Sequence, residues 1–495
     1  MFSLRTILST RIKKLRFNSF LNMVFASLIF LYIFLPLNLI LYYSSKNATY
    51  RNLILTIFSF IFYAWGEPIW IALLFVTALI DYGNGRFIEA NRGKSIAKFG
   101  VICSLVFNIC TLLTFKYSAF IVSNINDFFG SSFGVPSFAL PIGISFYTFQ
   151  SISYVIDVYT GKVTAQKSLL KFLMFVSLYH QLVAGPIVRY VHIAKQIDTR
   201  RFKLANISAG VTRFCVGLFK KVCIANVAGT FVVKYLDGDL SSLAVSEAWF
   251  GLLMFTVQIY FDFSGYSDMA IGLGKMFGFD YLENFNYPYI AKSATDFWRR
   301  WHISLSTWFK DYIYIPLGGN KTKGYRNLFI VWFLTGFWHG GANGACWNYI
   351  LWGLFWGGLI LMERLFLGNI IKKIPSVFGH LYLLAAMFFG WALFYFTDLN
   401  RLNEFFKILF GASGQQLTSF EFNIVLQENI FWLCFAMLMC MPIYLFMHRK
   451  VKRQLVGNKA HYWFSLTIAV NFILLFTATA MLVGKTYNPF IYYRF

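Results

Sequence analysis

The chain reads as an all-α, polytopic membrane protein, a helical bundle with interfacial helices, and three observations carry that reading. Hydrophobic residues make up 58% of its 495 positions, charged residues only 13%, and uncharged apolar runs recur along its whole length. With a mean hydropathy of +0.59, a soluble protein of this size could not assemble its polar surface. A membrane helix needs about 20 apolar residues to cross a ~30 Å hydrocarbon core, and several runs reach that length.

The first element is a leader. Residues 1–22 hold Arg5, Arg11, Lys13, Lys14 and Arg16 and no acid. The apolar run that follows is too long for a signal-peptide core and has no convincing cleavage site, so it is expected to be a retained span. Met23 opens this run directly, which divides the chain into a basic extension, 1–22, outside the pattern and with the start of translation in question, and one membrane domain, 23–495. The apolar runs then fall at 23–43, 52–66, 69–80, 99–115, 138–156, 172–188, 222–233, 248–261, 327–338, 345–362, 381–397, 429–447 and 462–484. Some are too short to span, so the sequence predicts roughly 11 to 13 membrane helices or half-helices. Between Asn400 and Gln427, polar residues and the stretch Gly411 to Ser413 interrupt the hydrophobicity. They predict a small extramembrane excursion, on the outside because it carries little positive charge.

The formal charge of +24 would point to nucleic acid in a soluble protein. Here Lys and Arg gather in short connectors, as the positive-inside rule requires, so no nucleic-acid partner is expected. Arg86 to Lys98, Lys195 to Lys221, Lys292 to Arg326 and Arg449 to Lys459 are the clearest and are assigned to the cytoplasmic side. The seven cysteines, 103, 110, 215, 223, 346, 434 and 440, form no CxxC and lie mostly in apolar surroundings. They predict neither a disulfide framework nor a metal site.

Three constellations carry candidate chemistry. Phe297, Trp301, Leu305, Trp308 and Tyr312 recur at helical spacing, with Arg299, Arg300, Ser306 and Lys310 opposite and His302 at the border. That pattern predicts one helix lying along or dipping into the cytoplasmic interface, and a simple anchor would show it as well as a catalytic element. The second is His339, eleven residues past Leu328, which at 1.5 Å per residue is about 17 Å into the next run, near mid-membrane. Ionisable groups at that depth usually mark a substrate path, a relay or a reactive centre. A buried, hydrogen-bonded histidine is the ordinary alternative. The glycines after it, Gly340, Gly341 and Gly344 around Asn343, predict that the helix breaks there and leaves room for a ligand. The third pairs Asp262 with Asp268, whose carboxylates could orient an imidazole, bind a cation or cap a helix, capping being the expected role of Asp268.

Taken in order, Pro141 to Gln150 (Pro-Ile-Gly-Ile-Ser-Phe-Tyr-Thr-Phe-Gln), Leu182 to Ile187 (Leu-Val-Ala-Gly-Pro-Ile), Gln258 to Gly272, Asp296 to Asn320, Phe337 to Gly340 and the ending Asn488 to Phe495 resemble the alginate O-acetyltransferase branch of the membrane-bound O-acyltransferases. The resemblance runs from about Met23 to the last residue. It implies a bacterial inner-membrane, multi-pass acetyltransferase that uses cytosolic acetyl-CoA as donor substrate, with no further cofactor. The acceptor would be a hydroxyl of a cell-envelope polysaccharide on the outer side, reached with a periplasmic or membrane-anchored acetyltransferase partner; membrane lipid is the remaining contact. It also implies that the family's membrane histidine corresponds to His339 and its second, more polar histidine to His302.

Physical chemistry agrees with such a transfer. An alcohol is a weak nucleophile at neutral pH, and a general base of pKa about 6.5 contributes typically 10²- to 10⁴-fold. His339 is the expected base. The thioester is already activated, so the tetrahedral oxyanion mainly needs donors, which His302, the Trp338 N–H or an amide of Gly340 to Gly344 could supply. Direct transfer and an acyl-histidine both remain open, direct transfer being simpler. Arg299, Arg300, Lys310 and Lys321 would suit a phosphate-bearing donor, although topology alone also predicts them. Trp338, Arg299, Arg300, Asp262, Asp268 and Asn343 are therefore candidates for the substrate channel or donor site. Two rivals stand: D-alanyl transfer to teichoic acid from a carrier protein, and a proton-coupled transporter using Asp262, Asp268 and His339.

Overall fold

The computed structural model describes residues 23–182, 185–341, 346–443 and 460–484, and every regular element among them is helical. A π-turn, Phe30–Phe34, leads into α1 (Leu35–Tyr43), followed by α2 (Ala48–Gly66) and α3 (Ile71–Ala90). α4 (Ala97–Leu112) continues through a π-turn, Leu113–Tyr117, into α5 (Ser118–Phe129). Next come α6 (Ile144–Tyr159), α7 (Leu169–Ser177), the single turn α8 (Tyr179–Leu182) and α9 (Tyr190–Asp198). α10 (Leu204–Phe219) runs through a third π-turn, Lys220–Ala225, into α11 (Asn226–Leu236), and α12 (Val245–Met276) is the longest α-helix among the described residues. Two short helices, α13 (Ala294–Arg300) and α14 (Ile303–Phe309), precede the hairpin of α15 (Gly324–His339) and α16 (Trp347–Met362). The chain closes with α17 (Gly368–Lys373), α18 (Ser376–Tyr395), α19 (Leu399–Leu409), α20 (Phe420–Met439) and α21 (Ala460–Gly484).

Among the described residues, seven continuous helical segments are long and apolar enough to cross a membrane: Ile71–Ala90, Ala97–Phe129, Leu204–Leu236, Trp347–Lys373, Ser376–Tyr395, Phe420–Met439 and Phe464–Gly484. The multi-pass, all-α architecture expected from composition is what the chain adopts. Other apolar runs form shorter helices or, as in α12, a helix carrying buried Glu247, Asp262 and Asp268. At 32 residues and 1.5 Å per residue α12 is about 48 Å long, and it threads two hydrophobic cores. One joins it to α1–α3 and α6–α9; the other joins it to α11, α13, α15, α16 and α18–α20.

Glycine sets how closely the backbones approach. A Cβ on Gly217 would sit 2.5 Å from the Gly265 carbonyl oxygen, and one on Gly210 would sit 2.7 Å from that of Gly272. The seven-residue spacing on each strand of the pair places both contacts on one antiparallel seam between α10 and α12. In the α15–α16 hairpin, Gly336 and Gly353 press on the carbonyls of Tyr349 and Trp332. Without water to drive helices together, such small-residue contacts supply much of the packing.

Residues of the first three basic connectors gather at one end. Tyr42 donates to the Phe277 carbonyl at 2.7 Å, Arg200 donates to Tyr42 at 2.9 Å, Lys171 pairs with Asp198 at 2.5 Å and Arg92 reaches the carbonyls of Val158 and Val163. Lys292 joins them by abutting Gly379 near the start of α18. At the opposite end, Arg401 donates to the carbonyls of Leu236 and Gly238, the Val245 amide to Gln416 and Tyr395 to Asp237. The excursion after α18, with α19 inside it, thus folds over the end remote from the basic loops. Two expectations need correcting. The run Lys195 to Lys221 is not one connector: Lys220 and Lys221 lie within the span Leu204–Leu236, neutralised by Asp268 and Asp262 at 2.7 and 2.5 Å. Asp268 caps nothing. It sits inside α12, where Arg213, also salt-bridged to Glu283, is its second partner. The fourth basic connector, the leader 1–22 and the ending Asn488 to Phe495 lie wholly outside the described residues.

Candidate active site

The predicted helix over 297–312 breaks at His302, which adopts φ 45°, ψ 53° in the left-handed region. For a non-glycine residue this conformation costs on the order of 1–3 kcal/mol and persists only where the surroundings enforce it. Here a loop enforces it: the Ile303 amide donates to the Asn284 carbonyl at 3.0 Å and the Asn286 amide to that of Arg300 at 2.9 Å. The break divides the aromatic stripe between two cores. Phe297 and Trp301 pack with Trp332, Trp352, Trp356 and Trp391, while Leu305, Trp308 and Tyr312 pack with Phe149 and Trp338. Rather than lying along an interface as one helix, the segment drives inward; Arg299 and Lys310 remain exposed on its far side.

The start of α13 is held just as firmly. Ser293 Oγ accepts from the Asp296 amide at 3.1 Å, and the Glu363 carboxylate accepts from the amides of Ala294 and Thr295 at 2.6 and 2.9 Å. A carboxylate at a helix N-terminus satisfies orphan N–H groups and complements the dipole. The Trp-His unit therefore hangs between two pinned points.

His339 is the last residue of α15. Gly340 turns to extended backbone, and Gly341 takes φ 105°, where a Cβ would also strike the Lys116 carbonyl oxygen at 2.5 Å. The predicted break is there, and it exposes the terminal carbonyls of α15. Lys116 answers them: its Nζ donates to the Trp338 carbonyl at 2.5 Å, and Tyr117 donates to that of Phe337 at 3.1 Å. A cation at a helix C-terminus is the favourable sign.

These elements bring three predicted residues together. The Trp338 ring lies 4.8 Å from that of His339 and 6.5 Å from that of His302. His339 is further enclosed by Trp352 at 5.1 Å and Phe394 at 5.2 Å, yet it keeps accessible surface and is only part-buried. His302, by contrast, is 1% exposed. Three polar atoms in this group, His302 Nε2, Trp338 Nε1 and Trp352 Nε1, are buried with no hydrogen-bond partner among the described residues. The site is level with the middle of α12: Phe263 stacks edge-on to His302 at 4.6 Å, and Phe255 touches Tyr395, the neighbour of Phe394, at 4.7 Å.

The other candidates lie elsewhere. Asp262 and Asp268 are occupied by Lys221 and by Lys220 with Arg213. Arg300 pairs with Asp296 at 3.0 Å and Arg299 faces out, so neither points at the histidines. Asn343 lies outside the described residues. Sequence reasoning missed two residues. Lys116 stands one position past the apolar run 99–115 and reads as its boundary, though it is 5% exposed. Asn284, fully buried, comes from a loop without any motif.

The membrane-bound O-acyltransferase family model matches residues 13–405. A probable alginate O-acetylase of Pseudomonas putida is 39% identical over 500 residues, covering 96% of this chain and all of the relative. That of Pseudomonas aeruginosa is 41% identical over 405 residues, 80% of this chain and 76% of the relative. A peptidoglycan O-acetyltransferase of Helicobacter pylori is 33% identical over 433 residues, 80% and 81% of the two chains.

Proposed function

This chain belongs to the membrane-bound O-acyltransferase family and is an O-acyltransferase, and on that premise we propose that it passes an acetyl group from cytosolic acetyl-CoA to a hydroxyl of an extracytoplasmic cell-envelope polysaccharide, with His339 as general base. The observation that carries this reading is His339 itself, ringed by Trp338, Trp352 and Phe394 yet only part-buried, at the glycine-broken end of α15.

The step is an acyl exchange. The acceptor oxygen attacks the thioester carbonyl as His339 takes its proton. The tetrahedral oxyanion then collapses, the C–S bond breaks, and the departing thiolate recovers the proton from the imidazolium. Trp338 supplies the N–H for the oxyanion; its Nε1 is buried with no partner among the described residues, and a donor fixed before the reaction stabilises the developing charge without reorganisation. Direct transfer of this kind needs no acyl-histidine. The enzyme works in the bacterial inner membrane with a periplasmic or membrane-anchored partner that completes delivery to the polymer.

The test uses full-length protein in lipid nanodiscs with labelled acetyl-CoA and envelope polysaccharide, comparing wild type with His339→Gln. Acetyl transfer is expected to fall by about 10²- to 10⁴-fold, the range for losing a general base. Undiminished transfer by the variant removes His339 from the mechanism. A wild type inert with acetyl-CoA but active with a carrier-bound D-alanyl thioester overturns the donor, and solute uptake by vesicles without any transfer overturns the reaction class.

A further inference from the structure

We propose that Asn284 is a positioning residue that locks His302 in its Nδ1–H tautomer, so that His302 presents a hydrogen-bond-accepting Nε2 to the site rather than a donor. The lock follows from who can donate to whom. Asn284 Oδ1 receives the backbone N–H of Ser304 at 3.1 Å, and a backbone amide can only donate, so the atom facing it is the oxygen. On the other side of the amide, Nδ2 donates to Ser267 Oγ at 3.1 Å. His302 Nδ1 lies 3.2 Å from that same oxygen. Two lone pairs cannot face each other across that gap, so Nδ1 carries the hydrogen.

Ser304 does not reverse the assignment. Its hydroxyl donates to Asn284 Oδ1 at 2.8 Å and accepts from the Ile187 amide at 3.0 Å. Its hydrogen is therefore spent, and its 3.5 Å approach to Nδ1 leaves it only as a second acceptor. With Nδ1 protonated, the neutral ring has a bare lone pair on Nε2, the atom that is buried and without a partner among the described residues.

The chemistry follows. A neutral His302 cannot donate from Nε2 to an oxyanion, which leaves that duty to the Trp338 N–H. Its lone pair instead fits a ligand that donates, as a hydroxyl does. Resting on the acyltransfer reading above, His302 thus becomes the hydroxyl-recognising residue of this group, its ring 6.5 Å from that of Trp338, which in turn lies 4.8 Å from that of His339.

The experiment reads the tautomer directly. Full-length protein carrying ¹⁵N-histidine in lipid nanodiscs is examined by solid-state NMR, with the His302 ring assigned by its loss in His302→Gln. The wild type is expected to show a protonated Nδ1 and an unprotonated Nε2. Asn284→Ala should lose that pattern and lower kcat for acetyl transfer on the order of 10²-fold with KM held, while Asn284→Asp, which keeps the acceptor oxygen, restores both. A protonated Nε2 in the wild type, or an Asn284→Ala spectrum identical to it, overturns the lock. An inverted ring with unchanged kcat overturns the recognising role. Should the wild type transfer nothing from acetyl-CoA, the donor assignment falls while the spectra still decide the lock.

Discussion

Replacing Lys116 by methionine separates stability from catalysis. The ammonium is 5% exposed, donates to the Trp338 carbonyl at 2.5 Å and lies 5.4 Å from the Trp338 ring centroid. It forms no salt bridge among the described residues, which include every Asp and Glu of the chain. Methionine has similar length and no charge. A hydrogen bond to a charged group contributes about 1.5–3 kcal/mol, and if the interaction is needed to hold the His339 turn, the loss corresponds at 1.36 kcal/mol per decade to a ~10- to ~150-fold fall in kcat. The same change removes a buried charge whose desolvation costs several kcal/mol, so thermal stability should hold or rise. The assay is the initial rate of acetyl transfer beside the unfolding midpoint of the same preparation. Wild-type kcat in Lys116→Met, or activity lost only in step with a falling midpoint, refutes the reasoning.

Trp338→Phe removes the Nε1–H but keeps the ring stacked on Phe149, 5.5 Å away; kcat should fall on the order of 10²-fold with little change in KM, and steady-state kinetics checks it. Gly336→Ala forces a methyl into the Tyr349 carbonyl and should destabilise by about 1–3 kcal/mol, whereas Gly358→Ala, with open space around it, should leave the unfolding midpoint unchanged. Asp268→Ala strips Lys220 and Arg213 of their shared carboxylate and should cost about 3 kcal/mol, as breaking a buried pair does, measured by thermal unfolding and expression level.

Parts of the site were legible because the signal is local. His339 announces itself as an ionisable residue in an apolar run, and Gly340 and Gly341 announce the end of its helix. The apolar spacing of Phe297, Trp301, Leu305, Trp308 and Tyr312 is legible, and all five are buried, but periodicity averages over a helix and is blind to a single left-handed residue, so it predicts one interfacial helix where the segment breaks at His302 and turns inward. Asp268 illustrates the opposite failure. Read alone it resembles a cap, because nothing near it in sequence supplies a cation; its partners Arg213 and Lys220 come from a helix packed alongside. Asn284 escaped for a related reason, since its partners are Ser267, His302 and Ser304.

Composition and hydropathy by themselves determined that this chain spans a membrane many times, because the cost of exposing apolar surface to water is summed residue by residue and needs no knowledge of contacts. Motif order likewise determined the family. Tertiary structure alone decided which polar groups neutralise one another and which remain free beside His339, since a hydrogen bond or ion pair depends on ångström-scale distances between residues that the chain order leaves far apart.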